Sequence, residues 1–262
     1  MSKYSRYDKG VLSDKLLVKR VRQAAKKYSE YVEKEVLLIF ATSRKGPFYT
    51  YEFWAGKENF QHLAGIQSPN GAEWFWTRCL DDTELLKREE IVVKRDIKTT
   101  SSKIEVLPDV VDLKKAKAYK LGRKDLITLN VEFSVAIGNN QSIMGFDKRK
   151  TYLPIPVTVL NRSIYEFCSS AATIYLIMTK NKNEKKYSNI FYEITEDIIH
   201  KANFDEEVQN LIDESVLEIL NNEEICVLET NPDPTPQQEV AATTEQATTD
   251  YPTTDHPISD QD

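Results

Sequence analysis

The sequence Phe60-Gln61-His62-Leu63-Ala64-Gly65 lies where the chain changes from a strand pattern to a helical one. Residues 57–66 predict a short helix, because Phe60 and Leu63 lie three positions apart and share one face. Gly65 suits the C-terminal end of a helix, where glycine is common. This helix lies between a predicted β-hairpin and a later block of strands, and that order guides the interpretation of the whole chain.

His62 is the first candidate for a catalytic residue. The chain has three histidines, and His200 and His256 both lie in its acidic C-terminal part. Histidine is the side chain best suited to proton transfer near neutral pH. The alternative is a histidine that caps the helix end or lies on the surface without a chemical role.

The residues before this helix predict a longer helix and a hairpin. Residues 12–34 form an amphipathic pattern, in which apolar residues recur at spacings of three and four. Residues 35–42 and 48–54 predict two strands joined by a turn at 43–47. The apolar positions of the predicted helix are Leu17, Val21, Ala24, Tyr28 and Tyr31.

The residues after it predict helices first and strands later. Residues 71–121 are mostly helical in pattern, with Pro108 placed just inside a helix start. Residues 127–137 alternate apolar and polar side chains, which predicts a strand that covers a core on one face. The remaining predicted strands are residues 142–146, 172–179 and 188–194. This segregation predicts an α+β fold with helices and an antiparallel β-sheet.

The charge of the chain is divided at about residue 192. Residues 1–192 hold 34 Lys and Arg against 22 Asp and Glu, a net charge of +12. Residues 193–262 hold one Lys against 19 acidic residues, a net charge of −18. A basic body favours a polyanionic partner, because cations that neutralise phosphates release condensed counterions. An acidic segment on the same chain indicates a part of the protein that screens the basic surface or competes with its partner for that surface.

Several classes of protein find no support in the sequence. It has no phosphate-binding glycine loop, no His-Glu-x-x-His and no Gly-x-Ser-x-Gly. Cys79, Cys168 and Cys226 lie far apart, which argues against a zinc site and a disulfide framework. The longest apolar runs, residues 36–41 and 173–178, are far shorter than the roughly 20 residues of a membrane helix. We therefore expect no metal, no cofactor, no membrane partner and a cytoplasmic location.

A second candidate site follows the predicted strand 142–146. Asp147-Lys148-Arg149-Lys150 places three cations at a strand end, where they can bind phosphate oxygens and stabilise a pentavalent phosphorane. The alternative is a solvated polar turn. Tyr152 lies just beyond and can hydrogen-bond a phosphate or simply pack.

The motif Phe60–Gly65 resembles the Phe-x-His-Leu-x-Gly signature of a phage-associated nuclease family within the Barnase–EndoU–colicin–RelE (BECR) superfamily. The order of the predicted elements agrees over about residues 12–194. The resemblance implies a BECR-like nuclease domain at residues 1–194, belonging to a phage or mobile element of a bacterial cell. It also implies metal-independent cleavage of RNA, in which the 2′-OH attacks its own phosphate and leaves a 2′,3′-cyclic phosphate.

The resemblance assigns roles to the candidate residues. His62 would be the general acid/base, Lys148, Arg149 and Lys150 would hold the phosphate, and Tyr152 would assist, while the second proton-transfer group is not identified. We therefore expect a toxin-like endoribonuclease acting on RNA, with tRNA as one candidate. The alternative is a non-catalytic RNA-binding or anti-defence protein with the same fold.

The C-terminal part divides into two segments. Residues 195–230 predict an acidic helical extension, in which residues 204–221 form an amphipathic helix with Asn203 as its N-cap. This helix either covers the phosphate site and so inhibits the protein in cis, or packs on the side of the body away from that site with its acidic face in water. A separate inhibitor protein is a further candidate partner. Residues 231–262 predict a disordered acidic tail rich in Pro and Thr. The apolar stripe of the helix is Phe204, Val208, Leu211, Ile212, Val216 and Ile219.

Overall fold

A computed structural model of the protein describes residues 15–43, 46–81, 92–93, 97–125, 133–149, 151–193 and 204–221. Lys150, the first part of the predicted strand 127–137 and the predicted tail 231–262 lie outside these ranges. The α-helices of the described part are α1 (Lys15–Tyr28), α2 (Lys57–Leu63), α3 (Ala72–Leu80), α4 (Ile97–Val110), α5 (Glu206–Leu211) and α6 (Glu214–Asn221). Its strands are β1 (Lys34–Ala41), β2 (Tyr49–Trp54), β3 (Ile66–Gln67), β4 (Val92–Val93), β5 (Lys120–Arg123), β6 (Val135–Gly138), β7 (Ile143–Asp147), β8 (Ile155–Leu160), β9 (Ala171–Asn181) and β10 (Asn189–Glu193).

An eight-stranded antiparallel sheet forms the centre of the fold, in agreement with the predicted α+β class. Its order is β2-β1-β9-β5-β6-β7-β8, and β10 pairs with β9 beside β5. The two ends of the sheet approach each other. The N–H of Trp54 at the end of β2 donates to the carbonyl of Pro154, just before β8, at 2.9 Å. Strands β3 and β4 form a separate two-stranded ladder.

Helices α1 to α4 cover one face of this sheet. Each helix buries an apolar stripe, and the even-numbered residues Val36 and Leu38 of β1 point into the same core. All five predicted apolar positions are buried, but α1 ends at Tyr28, so Tyr31 lies in the turn beyond it and the predicted helix end at residue 34 is wrong. Tyr28 and Tyr31 also use their hydroxyl groups, which donate to the carbonyls of Gly56 and Val111.

Helices α5 and α6 cover the opposite face. Leu37 and Ile39 of β1 point to that side, where they pack with Tyr187 and with the buried residues of the two helices. Successive residues of a strand alternate between the faces of a sheet, so α5 and α6 lie on the other side of the sheet from α1 to α4. The buried residues that the C-terminal helices contribute are Val208, Ile212, Val216 and Leu220.

The prediction of one amphipathic helix at residues 204–221 is wrong about the number of helices. The chain forms two helices, and the first is capped by Asp205, whose carboxylate accepts the N–H of Val208. The break lies at Ile212, which pairs with Tyr187 as an isolated β-bridge. The break shifts the later positions, so that Leu220 is buried and Ile219 is exposed.

Four strands, β3, β4, β5 and β8, and one proline also differ from the predictions. Strands β5 and β8 were not predicted, because β5 is only four residues long and β8 carries Pro156 at an edge of the sheet. Pro108 does not start a helix. It lies near the end of α4, where burial together with Leu107 against α1 outweighs the hydrogen bond that proline cannot donate.

The aromatic cluster around α2 gives a test of this packing. The fully buried Phe60 ring contacts the rings of Tyr28, Phe75 and Trp76. We expect Phe60→Ala to lower the free energy of unfolding by about 3–5 kcal/mol, because it leaves a cavity in a close-packed core.

Chemical denaturation measures this change, with Tyr165→Ala as the control. Tyr165 is an exposed aromatic residue, and its truncation should cost less than about 0.5 kcal/mol. Equal losses for the two variants would contradict the burial of Phe60.

Candidate active site

Helix α2 holds His62 at the boundary between core and solvent. Phe60 and Leu63 are fully buried, whereas His62 is half-buried and Glu58 is exposed. The helix begins after Gly56, whose carbonyl accepts the hydroxyl of Tyr28 at 3.1 Å. The core residues therefore fix the helix from one side and leave its other side open.

Gly65 ends α2 in the way that the sequence predicts. Its φ of +69° lies in the left-handed region that favours glycine, and its N–H donates to the carbonyl of His62. The carbonyl of Gly65 accepts the hydroxyl of the buried Thr100 on α4 at 3.3 Å. His62 therefore lies in the last turn of α2, and the end of this helix is attached to α4 through Gly65 and Thr100.

His62 lines a cleft of about 370 Å³, a size within the range of small-molecule binding sites. Glu58 lies one helical turn before it, and both residues line the same cleft, while the Glu58 carboxylate lies against Gly56 at the start of α2. The cleft continues along β3 to the N-terminus of α3. Its lining residues are Glu58, Gln61, His62, Ile66, Gln67, Ser68, Gly71 and Ala72.

Gln61 is the most unusual polar group in this lining. It is 8% exposed, and its Oε1 atom has no hydrogen-bond partner in the part of the chain that the structure describes. A buried amide oxygen without a partner costs free energy, so such groups are rare in folded proteins. Ser68, also buried, accepts the N–H of Asn70 through its hydroxyl at 3.2 Å.

A salt bridge connects the two helices that border the cleft. Lys57 in the first turn of α2 lies 2.5 Å from Glu73 in the first turn of α3. This hydrogen bond raises the pKa of Lys57 and lowers the pKa of Glu73. Glu73 is therefore an ionised carboxylate at neutral pH, and its charge is offset by its partner.

The basic turn after β7 does not line this cleft. Lys148 and Arg149 are exposed, and Lys150 is outside the described residues. Tyr152 is 86% exposed and lies near Tyr187, whose pKa is raised by burial, then by a hydrogen bond to Glu52, and further by Tyr152. The structure thus places the predicted site residues in two groups, with His62 in the cleft and the turn elsewhere.

The acidic helices lie far from the cleft across the sheet. The exposed residues Glu206, Glu207 and Glu218 belong to α5 and α6, which cover the face opposite α2. Residues 204–221 therefore lie on the face of the sheet opposite His62. These residues do not cover His62.

Two further features concern metals and membranes. Within the described ranges, no group of three or more His, Cys, Asp or Glu side chains is arranged to hold a metal ion. None of the helices described here has the length and apolar character needed to cross a bilayer.

The α+β fold is consistent with the BECR class of nucleases, and a family comparison supports this class. The model of the phage-Barnase-EndoU-ColicinE5/D-RelE like nuclease 4 family matches residues 20–196, about two thirds of the chain, so the chain belongs to this family. No curated protein matches the sequence, and no solved structure matches it.

The sequence prediction missed three contributors to the cleft. Glu58 could have been found, because it lies four residues before His62 on a predicted helix and so shares its face. Gln61 and Ser68 had no such signal. They reach the cleft only because β3 and α3 fold back beside α2.

The position of the acidic helices can be tested by removing their charge. We expect the triple variant Glu206→Gln, Glu207→Gln and Glu218→Gln to change the affinity for single-stranded RNA by less than about twofold at roughly 150 mM salt, where charges about 8 Å apart are already screened. Fluorescence anisotropy with a labelled oligonucleotide measures the affinity.

Substitution is preferable to truncation, since removing α5 and α6 would expose the core that they cover. An increase in affinity of about tenfold or more, equal to roughly 1.4 kcal/mol, would contradict the far-side position.

Proposed function

We propose that the protein is a metal-independent endoribonuclease and that the cleft at His62 is its active site. The observation that carries the proposal is the pair Glu58 and His62, two titratable residues one helical turn apart on α2 that both belong to the lining of the cleft. Membership of a nuclease family supports a nucleic-acid substrate. The net charge of +12 in residues 1–192 supports binding to a polyanion.

The pair fits the two proton transfers of RNA transesterification. In this mechanism the carboxylate of Glu58 takes the proton of the ribose 2′-OH, and the 2′-oxygen attacks the adjacent phosphorus. The bond from phosphorus to the 5′-oxygen breaks, and the imidazolium of His62 donates its proton to that leaving oxygen. The products are a 2′,3′-cyclic phosphate and a 5′-OH end.

The basic turn has a separate role in this proposal. Lys148 and Arg149 are exposed and outside the cleft, so we assign them, with Lys150, to the phosphates of the same RNA strand next to the cleavage site. Tyr152, also exposed, is suited to stacking on an unpaired base of that strand. This division replaces the direct catalytic roles expected for Lys148 and Tyr152.

We infer the setting of this activity from the family description. A phage-associated nuclease would meet its substrate in the cytoplasm of a bacterial host, where tRNA is an abundant folded RNA. Uncontrolled cleavage there would harm the cell, and an inhibitor protein is the expected partner of such a toxin-like enzyme. Growth of cells that express wild type or His62→Ala gives a first indication of such toxicity.

Replacement of His62 tests the proposal most simply. We expect His62→Ala to reduce RNA cleavage in EDTA by roughly 10²–10⁴-fold, because the leaving oxygen loses its proton donor. RNA affinity should persist, and end-group analysis of the wild-type products should find cyclic phosphates.

The outcomes separate the two candidate classes of function. Equal cleavage by wild type and His62→Ala would exclude His62 from the chemistry. Binding of RNA without any cleavage by the wild type would favour the non-catalytic RNA-binding or anti-defence protein instead.

Replacement of Glu58 tests the second half of the pair. We expect Glu58→Gln to slow cleavage by roughly 10²-fold or more, because the amide cannot accept the 2′-OH proton. Single-turnover cleavage at saturating RNA measures this rate, and RNA affinity should stay near that of the wild type.

Glu207→Gln is the matched control, since it makes the same chemical change on the opposite face of the sheet. Cleavage by Glu58→Gln at the wild-type rate would show that another group is the base.

The basic turn is tested through salt dependence. We expect Lys148→Ala and Arg149→Ala each to lower the slope of log affinity against log salt by about 0.7, the value for one phosphate contact to a single strand. The turnover rate at saturating RNA should stay near that of the wild type, because neither residue lies in the cleft.

Lys182→Ala, which removes an exposed lysine from the turn between β9 and β10, serves as the control. A loss of turnover without a change in slope would place the turn in the chemistry rather than in binding.

A further inference from the structure

Lys103 brings a positive charge to the C-terminal end of α2. The residue belongs to α4, and its side chain lies against Gly65, since a Cβ added at Gly65 would come within 3.2 Å of the Lys103 Cδ atom. Gly65 follows His62 by three residues, which correspond to about 4.5 Å along a helix axis. The stem of Lys103 therefore lies about one turn beyond His62, at the end of the same helix.

Thr158 on β8 holds the ammonium group of Lys103. The Nζ atom of Lys103 donates to the hydroxyl oxygen of Thr158 at 3.2 Å, and both residues are half-buried. A lysine side chain that packs along a surface and is held at its tip has fewer rotamers to lose when a ligand binds. The positive charge is thus placed in advance between α2 and β8.

Strand β8 connects this place with the basic turn. It is the last strand in the order of the sheet, and its first residue, Ile155, pairs with Asp147, the residue before Lys148. Thr158 lies three residues after Ile155, about 10 Å along the strand. The ammonium of Lys103 therefore lies between the helix that carries His62 and the turn at Lys148, the two places that the proposed function assigns to one RNA strand.

We propose that Lys103 binds a backbone phosphate of the substrate between the cleft and the basic turn, so that the RNA strand runs from α2 across Lys103 and along β8. The identity of the substrate as RNA rests on the proposed function. Lysine binds a phosphate as a compact point charge, without a requirement for planar geometry. Lys103 is not among the residues that line the cleft, so its contact positions the strand and does not transfer a proton.

The experiment measures the affinity of the full-length protein for a 2′-O-methyl oligonucleotide of about ten nucleotides at a series of salt concentrations. We expect Lys103→Met, which keeps the length of the stem and removes the charge, to weaken binding by about tenfold. The slope of log affinity against log salt should fall by about 0.7, the value for one phosphate contact to a single strand. Lys103→Arg keeps the charge and should keep the wild-type slope.

Lys120→Met is the matched control. The ammonium of Lys120 also donates to a threonine hydroxyl, that of Thr173, and both residues are again half-buried. Lys120 belongs to β5, three strands away from β8 in the sheet. This variant loses the same charge and the same type of hydrogen bond, and should bind the oligonucleotide with the affinity and slope of the wild type.

Turnover separates this contact from the chemistry. With cleavable RNA, Lys103→Met should raise KM about tenfold and leave kcat near that of the wild type, because the contact is made before and during the reaction alike. Equal affinity and slope in Lys103→Met and wild type would overturn the proposal even if cleavage depends on His62. A lower kcat with an unchanged slope would overturn it as well.

The proposed function can fail separately. A wild type that binds the oligonucleotide through Lys103 but cleaves no RNA would contradict the nuclease activity and support the phosphate contact. If Lys103→Met does not fold, ultraviolet crosslinking of the wild type to RNA that contains 4-thiouridine decides the question, with the crosslinked peptides identified by mass spectrometry. We expect a crosslinked peptide that contains Lys103, whereas crosslinks confined to other parts of the chain would overturn the proposal.

Discussion

Strands β1 and β9 are buried on both faces, and the rest of the structure follows from this constraint. Val36 and Leu38 enter the core beneath α1 to α4, whereas Leu37 and Ile39 enter the core beneath α5 and α6. A sheet whose central strands are apolar on both sides needs a cover on each side. The N-terminal helices supply one cover and the short acidic helices supply the other.

This arrangement explains why acidic helices follow a body, residues 1–192, that carries a net positive charge. Their apolar residues complete a core, and their carboxylates point into water on the face away from His62. The helix layer on the other face is free to carry chemistry. Phe60 and Leu63 bury one side of α2, and the opposite side presents Glu58 and His62 to a cleft.

The sequence pattern predicted those elements of the fold that are determined by contacts between residues close together in the chain. The stripe of α1, the hairpin of β1 and β2, and the helix that ends at Gly65 are all confirmed, because neighbours in sequence determine each of them. Strands β5 and β8 depend on partners far along the chain, and their own residues are too few or interrupted by proline.

The residues of the candidate site also differ in whether the sequence pattern can predict them. His62 was predictable from composition and from its motif, and Glu58 from helical spacing. The start of α3 and Gln61 were not, since they join the lining of the cleft only after β3 turns the chain back beside α2. The roles of Lys148, Arg149, Lys150 and Tyr152 remain predictions.

The central claim is that nucleic acid binds on the helix face, at the cleft between α2 and α3. Hydrogen–deuterium exchange tests it directly, with the full-length protein bound to a 2′-O-methyl RNA that cannot be cleaved by its own hydroxyl. We expect slower exchange at residues 57–73, which form α2, β3 and the start of α3. Slower exchange confined to α5 and α6, with the cleft unchanged, would contradict the claim.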